Sequence, residues 1–165
     1  MDLCFTFTLA TPEAMQRLGQ FMGQHHSQAP CIWLLDGEMG SGKTTFTQGV
    51  AMGLGLQEYI TSPTFTLVNE YLLPSQQKLY HFDWYRLATI EDLFELGIDE
   101  YLNTPEALLV IEWANRFPDF FTDNTLRYHF SHAQGARQVK LEIPSAFNKL
   151  YDMLQTKAGS DHVCE

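Results

Sequence analysis

Nine consecutive residues have the types and the spacing of a phosphate-binding loop. The stretch Gly37-Glu38-Met39-Gly40-Ser41-Gly42-Lys43-Thr44-Thr45 fits G-x-x-x-x-G-K-[ST], the Walker A pattern. Glycines in such a loop let backbone N–H groups approach phosphate oxygens closely. Lys43 is expected to reach the β- and γ-phosphates of a nucleotide, and the Thr44 hydroxyl to bind Mg²⁺. The loop therefore predicts a site for a magnesium–nucleotide complex.

The segments on either side of this loop are those that the motif requires. A short apolar run at 31–35 precedes it and is typical of a buried strand. Phe46 and Val50 follow at spacings that predict a helix from about Lys43 to Gly53 or Gly55. Such a helix directs its positive N-terminal end at the phosphates. A glycine turn before an ordinary helix is the alternative interpretation, and the strand–loop–helix order argues against it.

Two later apolar runs each end in a carboxylate. The run 79–82 leads to Asp83, and four aliphatic residues at 108–111 lead to Glu112. The second run predicts a parallel strand that is buried on both faces. Because ligands of open α/β sheets bind beyond the carboxyl ends of strands, both acids are predicted to lie near the metal or the attacking water. The alternative for Glu112 is a capping acid before a helix at 113–117. His81 is interpreted as an ordinary strand histidine.

Three hydroxyl side chains, Thr61, Ser62 and Thr64, surround Pro63. Simple turn chemistry explains them equally well. The sharper hypothesis is a switch segment in which Thr64 senses the γ-phosphate or its metal. Alternation predicts a strand over 65–71, which returns through a turn at 74–77 into an antiparallel strand over 78–84.

The remaining patterns complete an α/β fold. They predict a first strand at 5–9, helices that begin near Thr11 and Thr89, a last hairpin of strands at 126–132 and 137–143, and a short helix at 145–154. We predict one domain over 1–156, a three-layer P-loop NTPase-like fold with a mixed, partly parallel central sheet and additional antiparallel hairpins. Residues 157–165 lack a pattern and are predicted to be a disordered tail.

Composition limits the partners and the location. The 165 residues have a formal net charge of −10, which opposes the phosphate backbone of a nucleic acid, so direct binding of nucleic acid is not expected. Neither a membrane-length apolar stretch nor a signal peptide is visible. Cys4, Cys31 and Cys164 form no metal pattern or disulfide framework, which favours the reducing cytoplasm.

Several further motifs occur in order and make the sequence resemble one family. They are Ser62-Pro63-Thr64-Phe65-Thr66-Leu67-Val68, His81-Phe82-Asp83-Trp84-Tyr85-Arg86-Leu87, Glu95-Leu96-Gly97 and Ile111-Glu112-Trp113. With the phosphate loop they resemble TsaE, the bacterial ATPase of tRNA threonylcarbamoyladenosine biosynthesis, over about residues 9–143. The resemblance implies a cytoplasmic protein that hydrolyses ATP in support of the TsaD–TsaB pair. That pair modifies tRNA, so tRNA would be met only indirectly.

The same resemblance implies roles for individual residues. The family's metal ligands fall on Thr44 and Glu112, and its Walker B-like aspartate, either a metal ligand or a base, falls on Asp83. With Lys43, the two acids form the implied catalytic set. A glycine-arginine pair of the family is Ala136-Arg137 here, which implies a nucleotide contact from Arg137.

Two other functions remain open on this scaffold. The Asp-x-x-Gly and Asn-Lys-x-Asp motifs of a GTPase are absent from the sequence, so ATP is favoured. A small-molecule kinase needs an acceptor pocket and usually a lid with arginines. Between Asp83 and Glu112 the only arginine is Arg86, and the segment is acidic. The other alternative is a switch protein that binds nucleotide without hydrolysing it.

Overall fold

The computed structural model describes residues 2–161, which form one sheet of seven strands with helices on both faces. The strands are β1 (Leu3–Leu9), β2 (Ile32–Gly37), β3 (Val68–Leu72), β4 (Lys78–Asp83), β5 (Leu108–Glu112), β6 (Thr125–Ala133) and β7 (Ala136–Ile143). The helices are α1 (Pro12–Gln24), α2 (Lys43–Gly53), α3 (Ile90–Glu95), α4 (Ile98–Leu102) and α5 (Asn148–Asp161). Short 3₁₀ turns lie at His26–Gln28, Ala114–Arg116 and Ser145–Phe147.

The strand order is β1-β7-β6-β2-β5-β4-β3. The four strands β6, β2, β5 and β4 run parallel to one another, while β7, β1 and β3 add antiparallel pairs. The predicted α/β class with a mixed, partly parallel sheet and antiparallel hairpins is therefore confirmed. This arrangement brings the carboxyl ends of β2, β4 and β5 to the same edge of the sheet.

Alternate residues of the central strands belong to two hydrophobic cores. Trp33 and Leu35 pack in the core that also holds the buried side chains of α1, α2 and α5. Leu34 packs in the other core, with Leu93 of α3 and Ile98 of α4. The two cores lie on opposite faces because successive strand side chains point to opposite sides. The three layers that the sequence predicted follow from this alternation.

Helices α1 and α2 are in backbone contact at four glycines. They are Gly19 and Gly23 on α1, and Gly49 and Gly53 on α2. A Cβ atom at Gly19 would overlap the carbonyl oxygen of Phe46, and one at Gly49 would overlap that of Gln16. Any side chain here would push α2, which begins at Lys43, away from α1. The two G-x-x-x-G spacings are visible in the sequence, but we drew no prediction from them.

The strand predicted over 65–71 begins later than expected. The Leu67 N–H donates a hydrogen bond to the Pro63 carbonyl at 2.8 Å, and Leu67 has a left-handed backbone with φ of 68°. This turn ends the alternation that the sequence suggested, and β3 begins only at Val68. Thr64 and Phe65 are consequently part of an irregular segment.

The end of the chain also differs from the prediction. A 3₁₀ turn covers Ser145–Phe147, and α5 then runs from Asn148 to Asp161, past the predicted helix end at 154. Its last residues, 157–161, lie in the segment 157–165 that was predicted to be a disordered tail, and the disorder of that segment stays a prediction. Residues 162–165 lie outside the described residues, and a domain boundary at 156 stays a prediction. No helix within 2–161 is both long enough and apolar enough to cross a membrane.

Candidate active site

The phosphate loop connects the carboxyl end of β2 to the first turn of α2. Gly42 lies at the N-cap of α2 in a left-handed conformation, with φ of 108°. The left-handed backbone favours glycine at this position, and a Cβ atom there would also come within 2.8 Å of the terminal methyl group of Met15. The first backbone N–H groups of a helix lack intrahelical partners, and such an end binds anions.

The Lys43 side chain is almost fully buried at the base of this loop. Its ammonium donates hydrogen bonds to the carbonyl oxygens of Gly37 and Glu38 at 2.5 and 2.9 Å. The same Nζ atom lies 4.4 Å from the centre of the Trp113 ring. No carboxylate within residues 2–157, whose side chains the structure describes, forms a direct ion pair with Lys43. Uncharged groups therefore hold this cation in place.

Burial determines the protonation behaviour of two groups around the loop. It lowers the pKa of Lys43, against the attraction of Glu112, Asp83 and Asp36. It raises the pKa of Asp36, which precedes the loop and accepts a hydrogen bond from the Asn115 N–H at 2.7 Å. Asp36 thus ties the end of β2 to the turn that follows β5, a role that the sequence analysis missed.

Glu112 connects the phosphate-loop helix to the sheet. The Thr44 hydroxyl lies 3.1 and 3.2 Å from its two carboxylate oxygens. His81 Nε2 lies 2.8 Å from Glu112 Oε1, and both side chains are buried. His81 precedes Asp83 by two residues on β4, so it shares the face of the sheet with both acids. The sequence interpretation of His81 as an ordinary strand histidine is therefore incomplete, because it contacts a predicted site residue.

Asp83 connects the sheet to the irregular segment before β3. Its Oδ2 atom accepts hydrogen bonds from Ser62 and Thr64 at 3.0 and 3.3 Å, and Oδ1 accepts one from the Tyr85 N–H at 2.9 Å. The two hydroxyls are 3.2 Å apart. The hydroxyl segment that the sequence suggested as a switch is thus in contact with the strand-ending acid.

These groups surround a cleft of about 420 Å³, within the range of small-molecule sites. Its lining includes these predicted residues: Met39, Gly40, Gly42, Lys43, Thr44, Thr45, Thr64, Asp83, Glu112 and Arg137. Ser62 of the hydroxyl segment also lines it, as do Tyr85 and Trp113, which the sequence did not assign to the site. The available signal was an aromatic residue soon after each strand-ending acid. Gly37, Glu38 and Ser41 do not line the cleft; the first two support Lys43, and Ser41 is buried.

Comparison with protein families gives a match over most of the chain. The model of the family described as "Threonylcarbamoyl adenosine biosynthesis protein TsaE" matches residues 9–139. The tRNA threonylcarbamoyladenosine biosynthesis protein TsaE of Treponema pallidum is 44% identical over 127 residues, which cover 74% of this chain and 89% of the relative. Its counterpart in Haemophilus influenzae is 33% identical over 126 residues, covering 76% and 78%. That in a Nostoc species is 35% identical over 156 residues, covering 90% and 91%.

A solved structure shares the whole architecture. The crystal structure of Bacillus subtilis YdiB superposes with a TM-score of 0.76 and 25% sequence identity, and the match covers 95% of this chain and 97% of that one. The family match, the relatives and this shared fold agree with the motifs that led to the sequence prediction. The chain belongs to the TsaE family.

Proposed function

We propose that this chain binds ATP with Mg²⁺ and hydrolyses it, and that the ATP cycle supports the TsaD–TsaB pair in forming threonylcarbamoyladenosine in tRNA. The observation that carries the ATPase part is the convergence of Lys43, Thr44, Asp83 and Glu112 on one cleft at the start of α2. Family membership supports the tRNA-modification part, because the relatives bear that name. The cytoplasm is the location that this role requires.

The loop would bind the nucleotide phosphates. The start of α2 offers unpaired N–H groups, and Lys43 offers a buried cation whose present acceptors are neutral carbonyl groups. A phosphate oxygen carries negative charge, so Coulomb attraction to the ammonium adds to the hydrogen bond, which a neutral carbonyl does not offer. A phosphate oxygen is therefore a better acceptor for Lys43 than the carbonyl groups of Gly37 and Glu38. Arg137, also on the cleft wall, would add a second cation.

The oxygen atoms beside the loop fit a magnesium ion. A hydroxyl from Thr44 and carboxylates from Glu112 and Asp83 are hard oxygen donors, which Mg²⁺ prefers. Thr44 and Glu112 already lie within hydrogen-bond distance of each other, so both can face one ion. When bound, Mg²⁺ neutralises charge that develops on the phosphate oxygens.

Hydrolysis also requires a positioned water molecule. Asp83 and Glu112 are the two carboxylates that line the cleft within the described part of the chain. Asp83 is fixed by three hydrogen bonds, and Glu112 by contacts with Thr44 and His81. Either carboxylate can orient a water, and the other is then a ligand of the metal.

The small-molecule kinase receives less support from this cleft. Among residues 2–161, Arg137 is the one arginine that lines it, and Arg137 lies on strand β7 and not on a lid. A switch protein that does not hydrolyse ATP would have the same binding groups. Measuring ATP turnover with and without small-molecule acceptors separates the three functions, since only a kinase depends on the acceptor and only the ATPase turns over without one.

The direct test is Lys43→Ala. We expect ATP affinity or turnover to fall by about 100-fold, the size of effect seen when a preorganised electrostatic group is removed. Calorimetric titration of ATP and steady-state phosphate release measure the two quantities. Lys78→Ala, which removes an exposed lysine at the start of β4, is the matched control. Unchanged affinity together with unchanged turnover in Lys43→Ala would refute the proposed site.

The partner part is tested by equilibrium binding to the TsaD–TsaB pair with an ATP analogue, with ADP and without nucleotide. We expect affinity to differ among these states, and binding of free tRNA to be weak because of the net charge of −10. Equal affinity in all three states would remove the nucleotide dependence. Tight binding of free tRNA at physiological salt would move the role toward direct contact with RNA.

A further inference from the structure

We infer that a groove between the segment 61–67 and helix α3 is the docking surface for a partner protein with a basic contacting face, and that the nucleotide controls this docking. The groove has a volume of about 550 Å³ and is lined by Phe65, Leu67, Arg86, Glu95 and Leu96, among others. We call it the Phe65 groove. The inference rests on the proposed function, because it assigns this surface to the TsaD–TsaB pair.

Phe65 and Arg86 form the centre of the Phe65 groove. The Phe65 side chain is 82% exposed, and the Arg86 guanidinium lies 4.3 Å from the centre of its ring. Arg86 has no ion-pair partner among the described side chains of residues 2–157, although Asp92 and Glu95 line the same groove. Aromatic residues and arginine are enriched in the parts of interfaces that dominate binding energy. The exposed, stacked pair of Phe65 and Arg86 is therefore suited to contact a partner protein.

The surrounding charge indicates what kind of partner fits. Asp92 and Glu95 line the groove with one arginine, Arg86, and the stretch 86–106 that supplies these residues contains six acids in all. A nucleic acid would be repelled by this surface. A second copy of the chain, docked by the same face, would bring these carboxylates against one another. A different protein that presents lysine or arginine side chains is the complementary occupant.

The Phe65 groove and the nucleotide cleft share one short segment. Thr64 donates its hydroxyl hydrogen bond to Asp83 inside the cleft, while the next residue, Phe65, lies on the outside. The Asp83 N–H donates to the Leu67 carbonyl at 3.0 Å, so the segment is also tied to the end of β4. A phosphate or metal that moves Thr64 would move Phe65 with it. A partner that binds the two arrangements with different affinity would then respond to the nucleotide.

The test measures affinity for the TsaD–TsaB pair in the presence of an ATP analogue. Phe65→Ala and Glu95→Lys should each weaken binding about tenfold or more, and rising NaCl should weaken binding of the unaltered chain. Leu72→Ala is the matched apolar control, because Leu72 is 61% exposed at the other end of β3. Asp152→Lys, on α5, is the matched charge control. Calorimetry should show unchanged affinity of all four variants for the ATP analogue.

The outcomes separate this surface from the proposed function. If Phe65→Ala and Glu95→Lys bind the pair as tightly as the controls do, the surface is wrong and the proposed function stands. If the unaltered chain binds ATP but not the pair in any nucleotide state, both the partner and the surface are refuted. A dimer of this chain that Phe65→Ala abolishes, detected by sedimentation, would overturn the inference in favour of self-association.

Discussion

Asp83 and Glu112 are paired in register at the ends of neighbouring parallel strands, yet they connect to different parts of the molecule. Glu112 contacts Thr44, on the phosphate-loop helix, and His81, inside the sheet. Asp83 contacts the hydroxyls of Ser62 and Thr64, on an irregular segment. The two acids thus occupy equivalent positions of the sheet but contact different elements of the fold. The cleft therefore has two different walls. The Glu112 wall, formed by Glu112 and Thr44, belongs to regular structure. The Asp83 wall, formed by Asp83, Ser62 and Thr64, includes an irregular segment.

The two walls also differ in how they are supported. The helix that carries Thr44 is in backbone contact with α1 at the four glycines, so it can hardly move without a rearrangement of both helices. In the segment 61–67 Pro63 is buried, and Ile60 just before the segment is buried as well, whereas Phe65 and Thr66 are exposed. Segments with few buried contacts open at lower free energy than core elements. We therefore expect the Glu112 wall to serve the chemistry and the Asp83 wall to report on the nucleotide.

Glu112→Gln should have the largest effect on turnover. It keeps the shape of the side chain but removes the charge beside Thr44, so we expect turnover to fall by about 100-fold or more. The Mg²⁺ concentration for half-maximal activity should rise, while ATP affinity changes less. Phosphate release measured across a Mg²⁺ series tests this, with Glu100→Gln on α4 as the exposed control. Wild-type turnover at saturating Mg²⁺ would refute the assigned role.

Asp83→Asn should lower turnover less, by about tenfold to 100-fold, with a smaller change in the Mg²⁺ midpoint. The amide cannot accept the hydroxyl hydrogen bonds of Ser62 and Thr64 in the same way, so the difference in partner affinity between ATP analogue and ADP should shrink. Turnover and binding to TsaD–TsaB are measured on the same preparation. If Asp83→Asn and Glu112→Gln change turnover, the Mg²⁺ midpoint and partner affinity in the same way, the proposed difference between the two walls is wrong. The double variant should be non-additive, because both acids are proposed to act at one metal.

Gly49→Ala tests whether the contact between α1 and α2 supports the Glu112 wall. The added Cβ would overlap the carbonyl oxygen of Gln16, and overpacking of this kind costs about 1–3 kcal/mol. For a chain of this size that lowers the melting temperature by roughly 2–10 °C. Turnover should fall as well, because α2 carries Thr44, whereas Met52→Ala on the exposed side of α2 should change neither quantity much. Thermal unfolding and phosphate release measure both, and unchanged values in Gly49→Ala would show that the glycine contact does not hold the site.

The sequence predicted the parts of this site that depend on local pattern. The loop from Gly37 to Thr45 and the acids at Asp83 and Glu112 stand out because strand endings and glycine spacing are short-range signals. The contact between His81 and Glu112 was not predictable, because it joins residues 31 positions apart whose orientation depends on strand register.

The wrong predictions have equally specific causes. Alternation from Phe65 to Tyr71 indicated a strand, but the turn that closes between Pro63 and Leu67 takes precedence over it. Helix α5 continues past the predicted end at 154, where the Lys157 ammonium lies 4.8 Å from the centre of the Phe21 ring on α1, a contact between distant residues that the local pattern does not reveal.

The smallest effect concerns the capping box of α3, beside the Asp83 wall. The Asp92 carboxylate accepts hydrogen bonds from the N–H groups of Ala88 and Thr89, at 2.8 and 3.0 Å. The Thr89 bond, followed by that of Ala88, lowers the pKa of Asp92 below the usual range of an aspartate. Because the folded-state pKa is lower than the unfolded one, this contribution to stability is fully present well above the unfolded pKa and is lost as the pH falls through the folded-state value.

Asp92→Asn should therefore lower the melting temperature slightly at neutral pH, with little effect on turnover, since the cap supports α3 and does not touch the cleft. The difference from the unaltered chain should stay constant down to about pH 5 and shrink below pH 4, where the carboxylate of the unaltered chain becomes protonated. Thermal unfolding followed by circular dichroism over this pH series measures it. Glu91→Gln, in the same helical turn but outside the capping box, is the matched control. A difference that persists unchanged at pH 3 would mean that the charge of Asp92 does not contribute to the cap. A large loss of turnover would instead mean that α3 supports the cleft directly, and the contrast between the two walls would have to be redrawn.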